Sequence, residues 1–186
     1  DSPVTEKRLA DAKSRTINEP RKFYESSLTY HFIRARVKAL TSNNLKDLKV
    51  EFTNDITKGY NTELAAQYGL ALILSKKNEH EKARRVMNEL LTSQPDQILL
   101  TYSDIELDIN ATLMSRAFKK IDNALSRNPD NTALISLRAD AFWKNKEFQK
   151  SAGDYRKLVS QNPSVPHYWY QRAEVEGLAG NIRDVH

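Results

Sequence analysis

The chain has 186 residues, 39% hydrophobic and 28% charged, a balance that fits one ordinary folded domain or a short helical array. With no cysteine it has no disulfide, thiolate metal site or thiol nucleophile, and no apolar run approaches the ~18 residues of a membrane span. The net charge of +5 sits mostly in residues 1–40, nine Lys/Arg against five Asp/Glu, too modest and too mixed with acids to argue for a nucleic-acid partner.

Ser2-Pro3 reads as a helix start, an N-cap followed by a proline at the first helical position. The helix that follows, through Lys13, carries only Val4, Leu9 and Ala12 as an apolar stripe, too thin to bury alone. Asn18-Glu19-Pro20-Arg21 reads as a linker, since Pro20 pushes Glu19 out of helical geometry. From Tyr24 a helical period resumes with Tyr24, Leu28, Phe32 and Ala35 on one side. The cluster Thr41-Ser42-Asn43-Asn44 predicts a turn, and Leu45 to about Asn54 a return helix with Leu48 and Phe52 inward. Gly59-Tyr60-Asn61 breaks the chain again.

From Leu64 the sequence repeats. Pro95, Pro129 and Pro163 are 34 residues apart, the period of a tetratricopeptide repeat. With these prolines at repeat position 32, position 20 holds Ala83, Ala117 and Ser151, and position 8 holds Ala71, Ile105 and Ala139. Position 24 holds Met87, Ile121 and Tyr155. Small residues let the two helices of a hairpin approach closely, and large apolar ones fill the space between hairpins. The predicted fold is all-α, a superhelical tetratricopeptide-repeat solenoid. It has a residual helix over 1–18, an array over 23–186, an irregular repeat at 24–58, and regular repeats at 64–95, 98–129 and 132–163. A fourth regular repeat, 166–186, has Trp169, Ala173 and Gly180 in register but only its first helix. In the first regular repeat the helices are expected over about Leu64–Lys76 and His80–Ser93, joined around Asn78. In the second, Asp108-Ile109-Asn110-Ala111-Thr112 replaces the usual small bend, which leaves its helix ends undefined. The unmated last helix and the start without Met predict a piece of a longer protein.

The residues offer little chemistry. The four histidines (His31, His80, His167 and His186) show no metal-helix spacing, and no His-Glu-x-x-His, glycine-rich phosphate loop or serine elbow occurs. The expectation is a chain that is not itself an enzyme and holds no cofactor or metal. Asp104, Glu106 and Asp108 share one helix, and a solvated face is the default reading, although Asp104 occupies a position where a large apolar residue belongs.

Binding is the alternative. In stacked helical hairpins the first helix of each lines the concave side, with positions 2, 5, 9 and 12 toward the groove. The candidate groove residues are Tyr68, Leu72, Tyr102, Glu106, Asp140, Trp143 and Tyr170. Aromatic rings with a polar tip suit a wet peptide groove; the competing reading is packing between repeats. The paired Lys and Asn that would clamp a C-terminal carboxylate are missing.

Three stretches carry a family resemblance. Glu63-Leu64-Ala65-Ala66-Gln67-Tyr68-Gly69-Leu70-Ala71-Leu72 resembles the start of the repeat array in BepA-like periplasmic zinc metalloproteases. Ser27 through Arg36 looks like that family's irregular first repeat, and Pro3 through Ala12 like the end of its protease domain. The resemblance implies a substrate-handling array whose zinc lies in a separate catalytic domain, held there by His-Glu-x-x-His and a further Glu. It also implies a periplasmic location, and as partners the chain's own protease domain, unfolded segments of outer-membrane proteins and their assembly machinery. One departure is Ser2, where the family has a His before the proline. Two other readings stand beside it. One is an interaction scaffold with no protease attached; the other is a nucleic-acid-binding array using Arg34, Arg36 and Lys38, with strongly salt-dependent affinity.

Overall fold

A computed structural model describes residues 20–56 and 59–185. The expected helix over 3–13 and the Ser2 position lie outside these residues. Among the described residues there are nine helices and no strand. The chain divides into two compact units, one ending at Ser93 and the other beginning at Gln94.

The first unit holds α1 (Pro20–Thr41), α2 (Leu45–Asp55), α3 (Tyr60–Lys76) and α4 (His80–Ser93). Helix α1 begins at Pro20, where the sequence suggested a linker. Proline fits the first helical turn, where no amide bond is required, so Pro20 can begin the helix itself. Leu28, Phe32, Ala35 and Ala39 bury one stripe of α1, at the expected helical spacing. Asn44 caps α2 by accepting from the Asp47 amide at 3.1 Å, and Leu48 and Phe52 turn inward as expected. Gly59, at φ +146°, starts α3 four residues earlier than its repeat register. Within α3, Gly69 faces the Phe52 ring so closely that a Cβ would lie 2.5 Å from it.

The second unit holds α5 (Ile98–Asn110), α6 (Met114–Arg127), α7 (Thr132–Lys144), α8 (Phe148–Gln161) and α9 (Pro166–Val185). Its core joins the buried faces of all five helices through residues such as Ile105, Ile121, Leu134, Tyr155 and Val175. The period seen in the sequence is a period of geometry. The nine residues at positions 8, 20 and 24 are all at most 1% exposed. Ser151, the one serine among them, donates to the Ala139 carbonyl across its hairpin at 2.8 Å.

The helix ends repeat as well. Asn78, Thr112 and Lys146 are the only non-glycine residues among those described with positive φ (62°, 61° and 60°), and they are spaced 34 apart. Each closes its helix with the same pair of amide bonds. One is Asn78 N to Ser75 O (3.0 Å), Thr112 N to Ile109 O (3.0 Å) and Lys146 N to Trp143 O (2.9 Å). The other is Glu79 N to Leu74 O (2.9 Å), Leu113 N to Asp108 O (2.9 Å) and Glu147 N to Phe142 O (2.8 Å). This is a Schellman ending, which satisfies orphan carbonyls by turning one residue left-handed. The second repeat's turn therefore has the same geometry as its neighbours despite Thr at the left-handed position. The hydrogen bonds prescribe the bend, and the side chain tolerates it.

The prolines sit in the other connection. Gln97, Asn131 and Val165 donate to the carbonyls of Gln94, Asn128 and Asn162 (3.3, 3.1 and 3.2 Å), each turn carrying proline at its second position. Gly180, the counterpart of the left-handed residues, is helical instead, and α9 runs on through it.

Candidate functional site

Helix α5 presents Tyr102, Glu106 and Ile109 at repeat positions 5, 9 and 12, and α7 presents Asp140 and Trp143 at positions 9 and 12. In the second unit these five residues line one open cavity of about 520 Å³. Leu137, Asn110, Lys144, Lys146 and Phe148 complete its wall. Tyr102, Trp143 and Phe148 are partly buried against the core while also lining the cavity.

Asp140 is fixed from beneath. The buried Tyr155 hydroxyl donates to its Oδ1 at 2.6 Å. Burial, followed by the bond to Asp140, pushes the Tyr155 phenol far above its ordinary range, so it remains a proton donor. Asp140 is thereby oriented. Lys144 and Lys146 stand at the turn that ends α7, so the cavity has a carboxylate band and, about one helical turn further on, a basic end.

The other candidates lie elsewhere. Tyr68 is fully buried in the first unit, edge-on to Phe32 with centroids 5.3 Å apart, and its hydroxyl accepts from Arg36 Nη1 at 3.3 Å. Leu72 is buried too, as are Ala65 and Ser75, so the whole set of groove positions on α3 is covered. Helix α1 does this covering: its Phe32 and Arg36 meet Tyr68, and Lys76 Nζ donates to the Ala39 carbonyl at 3.0 Å. Tyr170 on α9 is 76% exposed and does not line the cavity. The basic cluster is partly engaged, with Lys38 paired to Glu51 at 2.8 Å and Arg36 bonded to Tyr68.

The solvated face expected for Asp104 and Asp108 is overturned. Both are buried, and Lys120 of α6 reaches Asp104 at 2.9 Å and Asp108 at 2.7 Å, with Arg116 3.5 Å from Asp108. The charge on Asp104 is met across the hairpin, sixteen residues on. The next hairpin repeats this pairing with signs exchanged, Arg138 at position 7 and Asp154 at position 23. In the sequence, Leu70 and Val86 occupy these positions of the first repeat, and that apolar pair concealed the signal. Among the described residues no three His, Asp or Glu side chains come together as metal ligands, and no helix is long and apolar enough to cross a membrane.

No family model matches the chain, and no solved structure does. Curated relatives do. The chain is 24% identical over 183 residues to the β-barrel assembly-enhancing protease of Yersinia pestis, a match covering 98% of this chain and 37% of that protein. It is 23% identical over 180 residues to the protein of the same name from Escherichia coli K12, covering 96% of this chain and 37% of the relative. The chain thus spans little more than a third of the curated relatives it matches, and is similar to that stretch of a β-barrel assembly-enhancing protease along almost all of its length.

Proposed function

We propose that this chain is the tetratricopeptide-repeat, substrate-recognition part of a periplasmic zinc metalloendopeptidase that serves outer-membrane protein assembly and quality control. The similarity to β-barrel assembly-enhancing proteases over 96–98% of the chain supports the context. The observation that carries the binding role is the cavity between α5 and α7, lined by residues at the groove positions of two successive repeats. Partly exposed Tyr102, Trp143 and Phe148 offer rings to apolar side chains, while Glu106, Asp140 and the lysines offer partners to polar ones. Unfolded β-barrel segments alternate apolar and polar residues, so one strand presents both kinds of group to such a surface. The chemistry of cleavage, with zinc as its cofactor, belongs to the separate catalytic part.

The test uses the full-length parent, with bound zinc measured by elemental analysis and cleavage of an unfolded outer-membrane protein assayed in the same preparation. One zinc per chain, with chelator-sensitive cleavage that slows when residues 98–163 are replaced by an unrelated helical array, supports the proposal. No zinc and no cleavage would leave an interaction scaffold.

A further inference from the structure

The carboxylates of the cavity belong to a longer series. Glu106, Asp140 and Glu174 occupy position 9 of three successive repeats, 34 residues apart. Glu106 and Asp140 line the same cavity, and Asp140 and Glu174 both act on the Tyr155 phenol, one by hydrogen bond and one by its charge. The three acids therefore follow one another along the second unit, with the Tyr102 and Trp143 rings beside the first two. Asp140 and Glu174 are exposed to solvent.

We infer that this row is a subsite for cationic side chains, and that the ligand is an extended polypeptide segment carrying Arg or Lys at about every third residue. It rests on the reading of this face as a polypeptide groove and adds the chemistry of its occupant. The spacing follows from two pitches. Packed helices such as α5 and α7 lie about 8–10 Å apart, and a chain in the polyproline II conformation advances about 9 Å per turn of three residues. A guanidinium between a carboxylate and an aromatic ring gains both an ion pair and a cation–π contact, which an uncharged side chain forgoes. Lys144 and Lys146 at the turn end of the cavity give the segment a direction, since they repel a further cation placed there. Tyr155 is a positioning residue in this scheme, because it sets the direction of the Asp140 carboxylate.

The experiment measures fluorescence anisotropy with the whole chain and three labelled, N-acetylated, C-amidated decapeptides of Ala, Thr and Tyr. One has Arg at three positions three residues apart, one has Gln at those positions, and one has the three Arg adjacent. The spaced Arg peptide is expected to bind about tenfold more tightly than the Gln peptide. Asp140→Asn with Glu174→Gln is expected to bring the two within about twofold, chiefly by weakening the spaced Arg peptide. Tyr155→Phe is expected to lower the Arg-over-Gln ratio, the readout that a purely structural role would not move. Equal binding of the Arg and Gln peptides, or of the spaced and adjacent Arg peptides, overturns the row and leaves the groove standing. Failure of all three peptides to bind overturns the groove, and the row with it.

Discussion

Arg138 and Asp154 form a two-point ion pair across the α7–α8 hairpin, Nε to Oδ2 at 2.9 Å and Nη2 to Oδ1 at 2.8 Å, with Asp154 buried. The hydrogen bonding it donates to Asp154 is the main reason the Arg138 guanidinium is held even more firmly protonated than usual. Removing one partner strands the other. Asp154→Ala is expected to lower unfolding free energy by about 2–3 kcal/mol, below the cost for a wholly buried pair because Arg138 remains partly exposed. Arg138→Leu with Asp154→Val, which copies Leu70 and Val86 of the first repeat, is expected to be neutral or stabilising in urea unfolding. A double variant as unstable as Asp154→Ala would contradict this account of the pair.

Thr112 holds a left-handed conformation that β-branched residues rarely adopt. Thr112→Gly removes that strain and keeps both Schellman hydrogen bonds, so stability should rise by about 1 kcal/mol. The urea midpoint reads it, and an unchanged or lower midpoint would mean that the turn is not strained.

Gly69 reverses an ordinary rule. Alanine in a helix interior usually stabilises over glycine by ~1 kcal/mol, but here the new methyl would press into the buried Phe52 ring. Gly69→Ala is expected to cost about 1–3 kcal/mol. The penalty should shrink in a Phe52→Leu background, where the ring is gone. Equal penalties in both backgrounds would place the cost elsewhere.

These sites separate what a sequence discloses from what it withholds. A strict 34-residue period fixed which side chains are buried at positions 8, 20 and 24, because helix spacing alone decides the face. It also located the turn at Asn78 and the span of α4. Asp104 was opaque because its partner, Lys120, lies on another helix and the two compensate only as a pair. Thr112 was opaque because glycine and asparagine mark a left-handed turn, whereas here backbone hydrogen bonds impose one on a residue that disfavours it. Tyr68 and Tyr102 share repeat position 5, yet one is buried and the other lines a cavity. The difference is Phe32 and Arg36 of α1, which cover Tyr68; periodicity within a repeat does not report what its neighbour covers.

Capture of unfolded polypeptide by the second unit is proposed to run through the cavity between α5 and α7. The direct measurement is binding of a urea-unfolded, freshly diluted outer-membrane β-barrel protein to the whole chain and to its Tyr102→Ala/Trp143→Ala variant. Circular dichroism should be recorded on both at the same temperature, below either melting point. Both rings are partly packed on the core, so the variant is expected to melt somewhat lower while keeping its helical signal. Binding at least about tenfold weaker, with helicity intact, is the expected result. Unchanged binding by a helical but less stable variant would contradict it and assign both rings to packing alone.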